Sequence, residues 1–335
     1  MPLVKLSFRP IDEAAAEPNV VVDGSVVANT VLALSHWPGS PDVPPELRAD
    51  LSAQMAFRYL DHPEPLHGTA GVVSNNHFDQ DGLVGVFALV DPAEAQARRP
   101  LLEDLAAAGD FATFRFRDAA RASMAVSAFT DPDRSPFGPL PEAYDEKTAL
   151  LYTEVLGRLT ELVDDVDRHR DLWADEDAAL GESEAAVASG VVRIDEHPEV
   201  DLAVVTVSGD RRWSGHRFGG RRYDGVHPMA IHNATARKSL LLVADGSYKF
   251  TYRYESWVKY RSAPVPRRVD LAPLAEALTA ADDVPWTSDP VAELTPELHP
   301  VDRAGSSLAP EVVIAMVAEH LRTAPPAFDP FHIGP

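Results

Sequence analysis

Cysteine is absent from the 335 residues, which removes disulfides, thiolate zinc sites, iron-sulfur clusters and cysteine nucleophiles together. Any metal must then be held by His, Asp, Glu, Asn or main-chain oxygen. Basic residues are scarce as well: 30 Lys and Arg stand against 52 Asp and Glu, a formal net charge of -22. Extended nucleic acid and anionic membranes are held by basic faces, so neither is expected as a partner. Long apolar runs are missing; the start, Met1 to Pro10, is too short an apolar block for a signal peptide, and no later run approaches membrane-spanning length. A cytoplasmic location is the expectation. The P-loop, GxGxxG, GxSxG and HExxH patterns are also absent, which argues against the common nucleotide-binding, serine-hydrolase and zincin classes.

What is present describes a folded protein. Hydrophobic residues make up 45% and charged residues 24%, and the length allows one large domain or two ordinary ones. The β-branched run Asn19 to Gly24 reads as a buried strand closed by a turn. Val31 to His36 reads as another, leaving His36 where strand gives way to loop. A helix is predicted from Glu46 to Leu60 after Pro44-Pro45, then a strand from Gly71 to Asn75. Helices are predicted from Leu83 to Val90, from Pro92 to about Gly109, from Asp118 to Thr130 and, as one long amphipathic element, from Glu142 to about Asp171. Beyond Gly190 strands dominate: Val191 to Ile194, Asp201 to Val207, Lys238 to Ala244 and Tyr248 to Trp257. The last alternates with Tyr248, Phe250, Tyr252 and Tyr254 on one face, expected to be buried, and Lys249, Thr251, Arg253 and Glu255 on a wet one. Short helices follow at Asp270 to Ala281 and Pro310 to Arg322.

The expected fold is α/β, with a mostly parallel or mixed central sheet flanked by helices and a smaller strand-rich C-terminal portion. Three segments are expected: an α/β domain at 1–188, a strand-rich subdomain at 189–290 and a Pro-rich tail with one helix at 291–335.

The chemistry concentrates in Asn75-Asn76-His77-Phe78-Asp79-Gln80-Asp81-Gly82. In an extended segment, residues two apart share a side, so His77, Asp79 and Asp81 can gather a nitrogen and two carboxylates around one cation. Such clustered carboxylates repel one another unless a cation lies between them. The alternative reading makes Asp81 the cap of the following helix and Asp79 the cap of a turn. The stretch resembles motif I of the DHH phosphoesterase superfamily, whose HxDxDG or DxDxDG sequence stands at a strand end. That resemblance spans about 72–90 and implies Mn or Mg held by His77, Asp79 and Asp81, and water-mediated cleavage of a phosphodiester or phosphoanhydride. More broadly the chain resembles an uncharacterised bacterial family.

Asp110, in a Gly-Asp-Phe after a helix, can present another ligand or a catalytic carboxylate, with Arg115 or Arg117 on an anion; a capping Asp with surface Arg is the alternative. His227 and His232 flank Pro228 to Ile231 and offer a general base, or are plain loop histidines. Arg211, Arg212, Arg217, Arg221 and Arg222 form a basic, Gly-interrupted run suited to a small anionic substrate. His36 is a candidate ligand or outer partner. On the predicted long helix, Glu161, Asp165 and His169 form a ladder that either binds metal or leaves His169 as a core histidine.

These features support a metal-dependent hydrolase, most simply a phosphoesterase acting on a small phosphorylated or nucleotide substrate. Mn or Mg is the expected cofactor, with Zn or Fe open, and a homo-oligomer is allowed. A non-catalytic anion-binding or scaffold protein and a non-haem iron oxidative enzyme are the alternatives.

Overall fold

The computed structural model describes residues 5–62, 64, 66–208, 225–303 and 305–332. The chain forms two compact units: one runs through Asp177 and adds Tyr260–Ser262, and the other takes Ala178–Lys259 and the chain from Ala263 onward.

The first unit is an α/β layer. Its strands are β1 (Ser7–Phe8), β2 (Asn19–Val22), β3 (Thr30–Leu34) and β4 (Val72–Ser74), all parallel in the order β1-β4-β2-β3. Its helices are α1 (Ile11–Ala14), α2 (Ser52–Asp61), α3 (Gln80–Val90), α4 (Pro92–Ala97), α5 (Arg99–Asp110), α6 (Arg117–Thr130), α7 (Tyr144–Leu156) and α8 (Leu159–Asp164); α9 (Arg170–Ser189) begins here and ends in the second unit. β2 is buried at every position, as its β-branched run predicts for a strand covered on both faces. Val20, Val21, Val22 and Val73 are fully buried, and so are Leu83, Val84 and Val86 on α3.

Three predicted helices differ in the structure, and the one expected from Pro92 to about Gly109 is divided at Arg98, whose φ of -116° is not helical, into α4 and α5. The element expected from Glu46 to Leu60 is a short 3-10 turn at Pro45–Leu47 followed by extended chain, and α2 starts only at Ser52. The late start leaves the amides of Ser52 and Ala53 free of helix bonds and turns them onto the Asp81 carboxylate, at 2.7 and 2.8 Å. The long element expected from Glu142 to Asp171 is broken after Leu156 and again at Asp165, whose φ of -142° is not helical. Leu151, Val155, Leu159, Leu162 and Val166 are nonetheless all buried; the stripe is satisfied by separate short helices.

The second unit carries β5 (Val192–His197), β6 (Leu202–Val207), β7 (Ser239–Ala244), β8 (Ser247–Tyr252), β9 (Arg268–Val269), β10 (Trp286–Ser288), β11 (Glu297–Pro300) and β12 (Pro326–Phe328), with α10 (Pro228–Ala234), α11 (Ala272–Ala281) and α12 (Pro310–Thr323). Six strands form one mixed sheet, β10-β11-β8-β7-β6-β5, in which only β6 and β7 are parallel. Asp245 and Gly246, both at positive φ, turn β7 into β8. One face packs on α11 and α12 through Phe250, Leu274, Leu278 and Val317, and the other, with Val205, Leu240 and Leu242, packs on Ile231 of α10.

The predicted wet face of β8 is a correction: Lys249, Thr251, Arg253 and Glu255 are at most 2% exposed. β8 is an interior strand between β7 and β11, which accounts for Lys249 and Thr251; the strand expected to run to Trp257 ends at Tyr252, so Arg253 and Glu255 lie beyond it, Glu255 in a 3-10 turn at Tyr254–Ser256. The charges persist there because they are paired: Glu255 Oε1 lies 2.6 Å from Arg253 Nη2 and 3.0 Å from Lys238 Nζ.

Candidate metal centre

Three parallel strands end at one place, and each end delivers a side chain. Asp23 follows β2, His36 stands two residues past β3, and His77 leaves the loop after β4. Ligands bind outside the carboxyl ends of strands in open α/β sheets, and this is that location. Asp79 and Asp81 come from the start of α3, and Asp110 is the last residue of α5.

Asp23 is the centre of the group. Its Oδ1 is 3.4 Å from His36 Nε2, and its Oδ2 is 3.3 Å from His77 Nε2. His77 Nε2 also meets Asp79 Oδ2 at 3.0 Å, and His36 Nε2 meets Asp81 Oδ2 at 3.8 Å and Asp110 Oδ2 at 3.5 Å. Two triads result, Asp23–His77–Asp79 and Asp23–His36–Asp81, each with ligand atoms within 4.8 Å of one another. The two share the carboxylate of Asp23.

Local structure explains why each group is held there. Asp79 is the N-cap of α3, its Oδ1 accepting the Gly82 amide at 2.9 Å while Oδ2 faces His77. Capping and clustering therefore use opposite oxygens of one side chain. Asp81 lies in the first turn and turns away from its own helix to the N-terminus of α2. Ser52 adds its hydroxyl, which donates to Asp23 Oδ1 at 2.8 Å. Asp23 itself has φ 50°, a left-handed backbone that a non-glycine residue adopts at a cost. Asn75 accepts the His77 amide at 3.2 Å and donates to the Tyr152 hydroxyl at 3.0 Å. A Cβ on Gly82 would stand 2.1 Å from Asn75 Nδ2, so this motif glycine is required for that approach.

The electrostatics are unbalanced. Burial, then the charges of Asp23 and Asp79, push Asp81 well above the usual carboxylate range. Asp110 is pushed the same way by burial and by Asp81, Asp79 and Asp23; it also ends a helix, where the dipole disfavours negative charge. Burial opposes a charged His77, but Asp79 and Asp23 outweigh it and raise the imidazole well above its usual value. Asp23 Oδ2, Asp110 Oδ2 and His77 Nδ1 are buried without a hydrogen-bond partner among the described residues. Four carboxylates, two imidazoles and unsatisfied buried oxygens are a donor set that fits divalent cations. His77 and Asp79, with side chains 16% and 33% exposed, form the open side; Asp81 and His36 are fully covered.

The other predicted residues lie elsewhere. Arg115 sits at the loop before α6, where Asp104 accepts its amide and that of Phe116, and Arg117 pairs with Asp177 at 2.5 Å. His227 caps α10, its Nδ1 accepting the Met229 amide at 3.1 Å, and His232 is buried in the same helix of the second unit; neither is among the side chains of the cluster. His169 Nε2 lies 3.9 Å from Glu161, while Asp165 pairs with Arg168. Arg211, Arg212, Arg217, Arg221 and Arg222 lie outside the described residues. Asp23, Ser52 and Tyr152 are the members and neighbours of the cluster that sequence reasoning overlooks. For Asp23 the signal is there, an acid ending a fully apolar strand in the same way that His36 ends the next.

The chain belongs to DUF6687, a family of unknown function, whose model matches residues 4–332. No curated protein matches it. A solved structure described as a DHH domain from a member of the s1p family of ribosomal proteins is similar at 12% identity and a TM-score of 0.30, over 88% of this chain and 64% of that one. The chain thus spans less than two thirds of that structure's length.

Proposed function

We propose that this DUF6687 member is a metal-dependent hydrolase that cleaves a phosphoester or phosphoanhydride in a small anionic substrate. One observation carries the reading: Asp23 offers one oxygen to each of two His/Asp triads at the carboxyl end of a parallel sheet. His77, Asp79 and Asp23 Oδ2 would hold one divalent cation, and His36, Asp81 and Asp23 Oδ1 a second. The oxygen-rich set suits Mn or Mg, and the two imidazoles admit Zn or Fe. Bound there, such cations polarise a phosphoryl oxygen and acidify water near neutral pH.

The chain's own groups do the rest. Ser52 and the α2 amides hold Asp23 and Asp81 in place from behind, so the ligand atoms need little reorganisation. Asp110 Oδ2 lies outside both triads, and its carboxyl, which burial and the neighbouring carboxylates hold toward the neutral form, serves as a proton donor. Substrate enters past His77 and Asp79, the exposed members. The motif from His77 to Gly82, which resembles motif I of the DHH phosphoesterases, supports phosphoester chemistry over other hydrolysis.

Metal content of protein purified without chelator, together with hydrolysis of bis(p-nitrophenyl) phosphate in added Mn, tests the proposal. Bound metal and activity, both lost in Asp23→Asn, are expected. An empty protein whose melting temperature ignores Mn, Mg, Zn and Fe would sink it.

A further inference from the structure

Asp50 is neither in a helix nor in a strand, yet it faces the cluster with its main chain and a distant segment with its side chain. Its carbonyl oxygen lies 2.5 Å from His36 Nδ1. A carbonyl only accepts, so Nδ1 carries the proton, and a neutral imidazole in that tautomer turns its lone pair out at Nε2. Nε2 is the atom that meets Asp23, Asp81 and Asp110. Two residues further on, the amides of Ser52 and Ala53 hold the Asp81 carboxylate. The run 50–53 therefore presents one acceptor to His36 and two donors to Asp81.

What fixes Asp50 is the segment Tyr260–Ser262, which belongs to the first unit although the chain on both sides of it belongs to the second. Asp50 Oδ1 accepts the amides of Arg261 at 2.5 Å and Ser262 at 2.9 Å, and Oδ2 accepts the Ser262 hydroxyl. The same segment reaches the cluster a second way. Tyr260 packs edge to face on Phe111, ring centroids 5.5 Å apart, and Phe111 adjoins Asp110 and lies 6.3 Å from the His36 ring.

We infer that Asp50 is a positioning residue of the metal centre, holding His36 in its ligating tautomer, and that the Tyr260–Ser262 segment is what locks Asp50 there. This rests on reading the cluster as a metal site, and it adds a control on that site from residues more than two hundred positions away in sequence. Loss of an outer partner of a ligating histidine typically costs about 10–100-fold in metal affinity.

The test uses the full chain and its wild type, Asp50→Ala, His36→Gln and double variants. Mn and Zn affinities are measured by titration, and the His36 tautomer is read from imidazole nitrogen shifts in metal-free protein. Asp50→Ala should weaken binding about tenfold or more and abolish the Nδ1–H preference, and it should cost nothing further in the His36→Gln background. An unchanged affinity, or a loss repeated in full without His36, overturns the inference. If Asp50→Ala does not fold, Asp50→Asn, which keeps one side-chain oxygen for the two amides, carries the same comparison with a smaller loss. Should the wild type take up neither metal, the metal reading falls, while the tautomer comparison still decides whether Asp50 sets His36.

Discussion

Asp23, Asp79, Asp81 and Asp110 in the first unit and Glu255, Arg253 and Lys238 in the second are both buried ionic clusters, with opposite balances. In the second, one carboxylate meets two cations within 3.0 Å, and Arg253 Nη1 also donates to the carbonyls of Thr235 and Arg237. Burial works against the Glu255 charge, but Arg253 and Lys238 hold its carboxyl down at about 2. In the first, four carboxylates face two imidazoles, and burial wins at Asp81 and Asp110. A buried ion is tolerated when its partner is supplied by the chain. One cluster is closed on itself, and the other lacks positive charge that a bound cation would provide.

Removing a carboxylate should therefore act in opposite directions in the two units. Glu255→Ala strands Arg253 and Lys238 without their acid and should lower stability by roughly 3–5 kcal/mol, read by denaturant unfolding with or without metal. Asp110→Asn should leave the metal-free protein as stable as wild type or more so, because the neutral form is already favoured there. The comparison breaks if the two variants are equally damaging. Next in size, Asp79→Asn should weaken Mn binding by at least the ~10–100-fold that loss of an outer partner costs, and Glu255→Gln should leave that affinity alone.

pH separates the clusters again. Glu255 is depressed on folding, so its stabilisation is complete above its ordinary value of 4.5 and disappears as pH falls toward about 2. Asp81 and Asp110 are raised, so in metal-free protein their contribution is fullest below the ordinary 3.8 and is lost as pH climbs through their elevated values. A cation reverses that slope: binding must displace those protons, and affinity must rise with pH. Calorimetric titration in two buffers of different ionisation enthalpy should show proton release on metal uptake. Uptake without protons would mean that Asp81 and Asp110 are already ionised in the metal-free cluster.

The contrast also explains what was legible in the sequence. His77, Asp79 and Asp81 form a local pattern, two residues apart at the end of an apolar run, and such spacing survives without knowledge of the fold. Asp23 and Asp110 come from elements 54 positions before and 33 after His77, and only the strand order β4-β2-β3 sets Asp23 between the two histidines. As a residue before Gly24, Asp23 reads simply as a turn. The buried second face of β8 is hidden for a related reason: alternation marks two faces but does not say whether the strand is interior, and the pairing with β7 and β11 makes it interior and leaves Lys249 and Thr251 buried. The apolar stripe continues across the helix breaks at Gly157 and Asp165 and so hides them. At the hairpin, by contrast, the Asp245-Gly246 dipeptide between two apolar runs carries its turn chemistry locally.

A paired tyrosine test gives the smallest and sharpest effect. Tyr152, beside the open cluster, and Tyr252, in the apolar core of the second unit, are each buried and each tied by its hydroxyl: Asn75 donates to Tyr152 at 3.0 Å and the Val269 amide donates to Tyr252 at 3.1 Å. Burial raises both phenols, Tyr252 to about 12, while Tyr152 is raised further by Asp79 and Asp23. Substitution by Phe removes the Asn75 bond at Tyr152 and two bonds at Tyr252, whose hydroxyl also donates to the Val269 carbonyl at 3.4 Å, and should cost roughly 1 kcal/mol of stability for each bond lost. Only Tyr152→Phe should also reach the metal, because Asn75 is the group that accepts the His77 amide. Its Mn affinity should fall by no more than about fivefold, the equivalent of 1 kcal/mol, and that of Tyr252→Phe should match wild type. Equal shifts in the two variants would show that metal affinity follows general stability, and that the open cluster is not set apart from the rest of the fold.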